Sequence, residues 1–303
     1  MLFVAGLGRS GSTLIDRAMG GADGCVSLGE IVRLWQRGVV ENAMCGCGET
    51  FRNCEFWGPV GEAAFGGWDT LGHRPRDLQA AVDRTRYIPL MLTGWGRRYQ
   101  RRRAEYARLL ARLYTAIRDV AGADLIVDSS KDLSTTFLLR TVPEIDVRVI
   151  HLVRDSRAVA YSWTKYVQKG GSGGSMDRYS PAIVGLRYTF SNLVLEAARW
   201  LGLPMLRQRY EDFVAEPAAA TERLLRFGGM SDPTLTHVDG RMLRAAPHHS
   251  VGGNPMRFAL GTIEIRLDRQ WQDALPTRDR RIVSAMTSPM LLLYRYPIRH
   301  RTQ

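Results

Sequence analysis

An α/β fold, one parallel sheet with helices on both faces, is what the sequence predicts, and three observations predict it. Apolar runs of strand length recur at Leu2 to Ala5, Leu125 to Val127, Val147 to Val153 and Met205-Leu206. Each is followed by a helix-like stretch, the alternation expected of parallel βα units. The first run also leads through a glycine-and-hydroxyl turn into a helix, a layout that holds phosphate. In such sheets ligands gather at the carboxyl ends of the strands, so the residues after each run are the ones to read for chemistry.

The totals suit this fold. A chain of 303 residues with 45% hydrophobic and 24% charged residues can bury one large core, with room for a helical insertion. We read residues 1–303 as one domain. No stretch approaches the length of a membrane span. The first strand begins at Leu2 and runs directly into the glycine-rich turn; a cleaved signal peptide would remove that turn, so the expected location is cytoplasmic. A net charge of +12 suggests an anionic partner. Yet Arg97-Arg98 and Arg101-Arg102-Arg103 read as a solvated helix face rather than a nucleic-acid site, since no recognisable module interleaves aromatics with them. The only lysines are Lys131, Lys165 and Lys169.

Taken in order, the first element is "GLGRSGST". As Gly6-x-Gly8-x-x-Gly11 it fits a dinucleotide fingerprint; as Gly6-x-x-x-x-Gly11-Ser12-Thr13 it fits a P-loop with serine replacing lysine. Both aim backbone N–H groups and a helix N-terminus at an anion. A nucleotide triphosphatase needs the missing lysine and a magnesium-holding carboxylate, for which Asp128 is the candidate. Arg9, Ser10, Ser12 and Thr13 instead offer donors to a single phosphate and its substituent.

Next, a short strand-like stretch, Cys25 to Leu28, precedes Glu30, which is either a catalytic base or a carboxylate at a helix start. Three cysteines follow in Cys45-Gly-Cys47-Gly-Glu-Thr-Phe-Arg-Asn-Cys54. They could bind zinc if Cys25 or a histidine supplied a fourth ligand, or form an inert loop cluster; no metal is assigned. The segment from about 41 to 121 reads as a helical insertion that shapes a substrate pocket. It ends in an amphipathic helix with Tyr99, Tyr106, Leu109, Leu110, Leu113 and Ile117 at helical spacing.

"VDSSKDL" then leaves the second apolar run with Asp128, Ser129, Ser130 and Lys131, and "VRVIHLVRDSRAVAYSW" leaves the third with Arg154. Ser162 lies about two helical turns beyond Arg154, so the two can face one pocket. Arginine offers a planar fork for phosphate and serine a hydroxyl. A second anion site on the same sheet edge implies a ligand with two separated phosphates. The glycine- and serine-rich stretch at 168–178 reads as a mobile loop, either a gate or a linker.

Arg9-Ser10-Gly11-Ser12-Thr13 together with Arg154-(seven residues)-Ser162 resembles the sulfotransferases that use 3′-phosphoadenosine 5′-phosphosulfate. "RYEDFVAEP" at 209–217 and "HHSVGGNPMRF" at 248–258 look like further segments of the bacterial and carbohydrate-type members. The resemblance implies a P-loop-NTPase-like fold that needs no metal. In it the first loop holds the 5′-phosphosulfate, while Arg154 and Ser162 hold the 3′-phosphate. It also implies a glutamate base at Glu30, with Asp128 as fallback, an active-site cation at Lys131, and contact of Tyr210 with adenine. Arg257, after Gly252-Gly253, is expected to add charge near the 3′-phosphate. Arg9 stands where many members have lysine, and is read as either catalytic or positional. His248 and His249 are open between the acceptor pocket and the surface. The expected acceptor is a hydroxyl of a small molecule, glycan or glycolipid. A P-loop-type kinase and a non-catalytic nucleotide-binding protein are the alternatives.

Overall fold

Short strands that bury both faces need helices on either side, because neither face can meet water without loss. The computed structural model describes residues 1–168, 175 and 177–298. Its central sheet consists of β1 (Leu2–Ala5), β2 (Cys25–Ser27), β3 (Leu125–Lys131), β4 (Arg148–Val153) and β5 (Met205–Arg209). These strands lie in the order β2-β3-β1-β4-β5, and every pairing is parallel. Strands β3 and β5 run past the apolar residues that announce them, so their carboxyl ends are polar.

The helices are α1 (Ser12–Gly20), α2 (Trp57–Phe65), α3 (Arg74–Val82), α4 (Ile88–Thr93), α5 (Arg97–Ala121), α6 (Leu133–Leu139), α7 (Ser156–Thr164), α8 (Pro181–Trp200), α9 (Tyr210–Ala215), α10 (Pro217–Gly228), α11 (Trp271–Ala274) and α12 (Thr277–Leu293). Strand alternation divides the core between two layers. Leu2, Val4, Val127 and Ile150 pack against α1, α9 and α10. Phe3, Ala5, Ile126 and Val149 pack in the same cluster as residues of α2, α5 and α6. The inserted segment therefore supplies much of one face of the core, with α6 and α8 completing it, as well as bordering the site. On α5, Tyr106, Leu110, Leu113 and Ile117 are buried, while Arg97, Arg98, Arg101 and Arg102 are exposed. Arg103 differs from them, donating to the carbonyl of Met91 at 3.3 Å.

Two features escape the sequence reading. A small antiparallel sheet joins β6 (Val238–Asp239), β7 (Met242–Ala245) and β8 (Gly261–Glu264). Its strands are short and largely exposed, so no apolar run marks them. The second is Arg17 of α1, a buried side chain. It donates to the carbonyls of Ala246 at 2.9 Å, Met256 at 2.9 Å, Arg257 at 3.2 Å and Ala259 at 2.5 Å. One guanidinium thereby ties the 246–259 segment to the helix that carries the phosphate loop. The glycine- and serine-rich stretch at 168–178 lies mostly outside the described residues.

Arg17→Met keeps the bulk but leaves these carbonyls without their donor, at a cost of about 2–4 kcal/mol. The expected result is a melting temperature lower by several degrees in a thermal scan. A variant melting within about 1 °C of the parent would show that the pin contributes nothing.

Candidate active site

The loop between β1 and α1 is shaped by two glycines. Gly6 has φ +146°, and a Cβ there would sit 2.4 Å from the Leu152 carbonyl oxygen. Gly11, at φ +93°, would put a Cβ 2.4 Å from the ring of Tyr210. No other residue fits either place. Gly11 caps α1 and its carbonyl accepts from Leu14 and Ile15 at 3.1 and 3.3 Å. The amides of Ser12 and Thr13 come before Leu14, the first donor to Gly11, so they have no acceptor within the helix and its positive end faces out of the loop. The Ser10 hydroxyl departs from expectation: it is buried and donates to the Leu7 carbonyl at 2.7 Å, so it shapes the loop from inside.

Arg154 follows β4 directly. Its Nη1 donates to the carbonyl of Arg9 at 3.2 Å, and its guanidinium lies 4.5 Å from the centre of the Tyr210 ring. Arg154 thus turns toward the loop between β1 and α1. Tyr210 stands between them, packed against Gly11 and under Arg154. Ser162 is half-buried on α7. Its neighbour Trp163, which the sequence reading missed, donates its indole N–H to Gly8 at 3.0 Å and lies beneath the Arg9 guanidinium. The missed signal was an aromatic directly beside the predicted serine.

Arg9 itself has φ +72°, an uncommon conformation for a side-chain-bearing residue. Arg9 Nε, Arg9 Nη2 and Arg154 Nε are buried without a hydrogen-bond partner among the described residues. Unmet donors on two cations beside a helix N-terminus fit an anion of more than one charge centre. A half-buried carboxylate, Asp268, lies 3.6 Å from both Arg154 and Lys165. It too was missed, because it sits in a loop without pattern.

On the other side of β1 the ladder with β3 slips: Phe3 pairs with Asp128, but Ala5 pairs with Lys131. This bulge, with Lys131 at φ +72°, re-aims the lysine at the rim. Lys131 Nζ donates to Glu30 Oε1 and to the Ser129 carbonyl, each at 2.7 Å. Arg33 lies 3.5 Å from the same carboxylate. Burial alone would raise the Glu30 pKa, but Lys131 and Arg33 outweigh it and hold the group below the usual carboxylate range. Glu30 is therefore an ionised acceptor at neutral pH.

Asp128 does not fit the role of fallback base. It is fully buried, accepting from the Tyr114 hydroxyl at 2.6 Å, the Ser130 amide at 2.8 Å and the Ser130 hydroxyl. Burial pushes its pKa up to about 6 against those bonds. The bulge is the reason: Asp128 faces the α5 layer, and only Lys131 emerges. Arg257 is also placed differently from expectation. Its guanidinium is buried and donates to the carbonyls of Ser250 at 2.6 Å and Met44 at 2.8 Å, holding loops together. His249 meets the cysteine loop, while both ring nitrogens of His248 lack partners among the described residues.

Read along the sheet from β2 to β5, the carboxyl ends carry Glu30, Lys131, the Arg9 loop, Arg154 and Tyr210. The sulfotransferase family model matches residues 2–234. Carbohydrate sulfotransferase 3 of Tetronarce californica is 25% identical over 167 residues, 51% of this chain and 37% of that protein. Carbohydrate sulfotransferase 3 of Homo sapiens is 25% identical over 173 residues, 52% of this chain and 35% of that one. The chain thus spans little more than a third of the length of these relatives. The sulfotransferase domain from the curacin biosynthetic pathway covers 98% of both chains with a TM-score of 0.50 at 16% identity, a likeness of fold. Over three quarters of its length matches one family, and on that ground the chain belongs to the sulfotransferase family.

Proposed function

We propose that the protein moves a sulfuryl group from 3′-phosphoadenosine 5′-phosphosulfate to a hydroxyl of a carbohydrate, lipid or small-molecule acceptor. The observation that carries this reading is the convergence of Arg154 on the Arg9 loop, with buried donors left unmet on both. A carrier with two separated phosphates supplies an anion to each. On this reading the 5′-phosphosulfate lies over the N-terminus of α1, within reach of Arg9 and Lys131. The 3′-phosphate takes Arg154, with Ser162 alongside, and displaces the weak hold of Asp268. Carbohydrate acceptors are favoured by the names of the matched relatives.

In the transfer, the acceptor oxygen attacks sulfur and its proton passes to Glu30. The bond from sulfur to the bridging oxygen breaks, and its electron pair leaves with 3′-phosphoadenosine 5′-phosphate. Charge grows on the bridging and sulfuryl oxygens, which Arg9 and the loop amides meet first and Lys131 joins as it leaves Glu30. Lys131 links the two halves of the step. An anion that draws it from Glu30 removes the influence that holds the carboxyl down, so the base strengthens as the donor seats.

Three outcomes test this. The nucleotide 3′-phosphoadenosine 5′-phosphate should raise the melting temperature without added magnesium; stabilisation only by ATP with magnesium would favour a kinase instead. Arg154→Ala should weaken that nucleotide by about 10–100-fold while leaving adenosine 5′-phosphosulfate, which lacks the 3′-phosphate, nearly unchanged. Equal losses for both would remove Arg154 from the 3′-phosphate. An acceptor panel read by mass spectrometry should show the mass gain of a sulfuryl group.

A separate test addresses the base. Glu30→Gln should keep nucleotide binding and lower kcat by about 100-fold or more. In Lys131→Met the residual activity should report the freed carboxyl. With its offset gone, burial raises the Glu30 pKa, so the acid limb of kcat/KM moves to higher pH. A limb at the parent's position would show that Lys131 does not set the base.

A further inference from the structure

The cysteine loop, whose role the sequence leaves open, closes on a histidine nearly two hundred residues away. Cys54 Sγ lies 3.6 Å from Cys45 Sγ, 3.7 Å from Cys47 Sγ and 3.2 Å from His249 Nδ1. All four ligand atoms fall within 4.8 Å of one another. Cys25 is not among them. A tetrahedral zinc ion, about 2.3 Å from sulfur and about 2.0 Å from nitrogen, spaces its ligands by about 3.4–3.8 Å. A disulfide would instead bring one pair of sulfurs to about 2.05 Å and leave the other two groups unused.

We propose that Cys45, Cys47, Cys54 and His249 hold a structural zinc ion. The backbone around them is shaped for a closed site. The Cys45 amide donates to Glu49 at 2.7 Å, and Met44 bridges Thr50, so two thiols ride on one tight hairpin. Gly46 admits the partner segment: its amide donates to Ser250 at 2.9 Å, and a Cβ there would sit 2.6 Å from the His248 carbonyl. The His249 ring stacks on Phe56 with centroids 5.0 Å apart, and its carbonyl accepts from the Trp57 indole at 2.9 Å. These contacts orient the imidazole before any ion arrives. Cys45 and Cys54 are buried, and four protein ligands leave no open position for substrate, which marks a structural site.

The ion would staple the inserted segment to the 248–258 loop. That loop accepts the Glu30 amide at Gly252 and sends Arg257 to Met44. Zinc there would fix the wall beside the base without touching the donor.

The inference does not rest on the transfer chemistry, and its test needs no activity. Untagged protein from zinc-supplied medium should carry one zinc per chain by elemental analysis. Cobalt-exchanged parent protein should show thiolate-to-cobalt charge transfer and tetrahedral ligand-field absorption. Cys54→Ser should lose both signals, and chelation should lower the parent's melting temperature until zinc is returned. If the variant fails to fold, the cobalt spectrum of the parent still decides. Sub-stoichiometric zinc with no charge-transfer band on cobalt titration would overturn the proposal. So would an intact mass, under non-reducing conditions, that is short by the two hydrogens of a disulfide.

Discussion

Positive groups held at the carboxyl rim of a parallel sheet, buried and short of acceptors, are the constraint on which this structure turns. Each unmet buried donor costs about 1–3 kcal/mol, and the rim holds three on Arg9 and Arg154 alone. The fold tolerates them because everything around the loop is tightly set. Gly6 and Gly11 let it pass against Leu152 and Tyr210, Trp163 holds Gly8, and Tyr188 fixes the carbonyl of Arg154 at 2.8 Å. Asp268 relieves part of the charge from 3.6 Å, too far for a hydrogen bond. On the proposed reading, an arriving polyanion meets donors that are already desolvated.

The same economy explains Lys131. In a chain with only two other lysines, this cation must fit between Glu30 and a strand carbonyl, at a bulge where its own φ is positive. A compact ammonium with three rotatable donors can do so and still leave; a planar guanidinium, fixed in its fork, is held to one geometry. Nearby, Asp16 of α1 is buried, and burial pushes its carboxyl up to about 7 against Ser129, Ser27 and Lys131. Around β3, then, cations hold the rim carboxyl of Glu30 down, while burial raises those of Asp16 and Asp128 behind it.

What the sequence made legible was what is local. Four apolar runs became strands, and the glycine spacing of residues 6–11 became a tight turn into a helix start, because a strand, a turn and a helix start are each written in adjacent residues. Arg154 could be read for the same reason: it directly follows its strand. Asp128 and Lys131 were harder, because a one-residue slip in the ladder decides which of them reaches the rim, and no residue type announces a slip. Arg257 misled because the glycines before it pack against Glu30, Arg33 and Thr13, while its own guanidinium turns away to the carbonyls of Ser250 and Met44, the latter far away in sequence. Ser10 misled because a hydroxyl in a phosphate loop can as readily bond the loop itself. The β6-β7-β8 sheet left no trace because its strands are too short for the buried Val238, Leu243 and Ala245 to form an apolar run.

Two halves of the site consequently rest on different physics. The donor half is built from strand, loop and helix start, each correct on its own and held by glycine geometry. The half around Glu30 is closed by segments far apart in the chain, held by a few polar pins: Arg17 on residues 246–259, Arg257 on Met44, and the cysteines facing His249. Such pins fix backbone without dictating the side chains between them. On the proposed reading, residues lining the acceptor side could change freely while the carrier side stayed as it is. The inserted segment bears on that freedom. Its helices share a core with β1, β3 and β4, so its position is fixed by burial, and only its loops are left to vary with the acceptor.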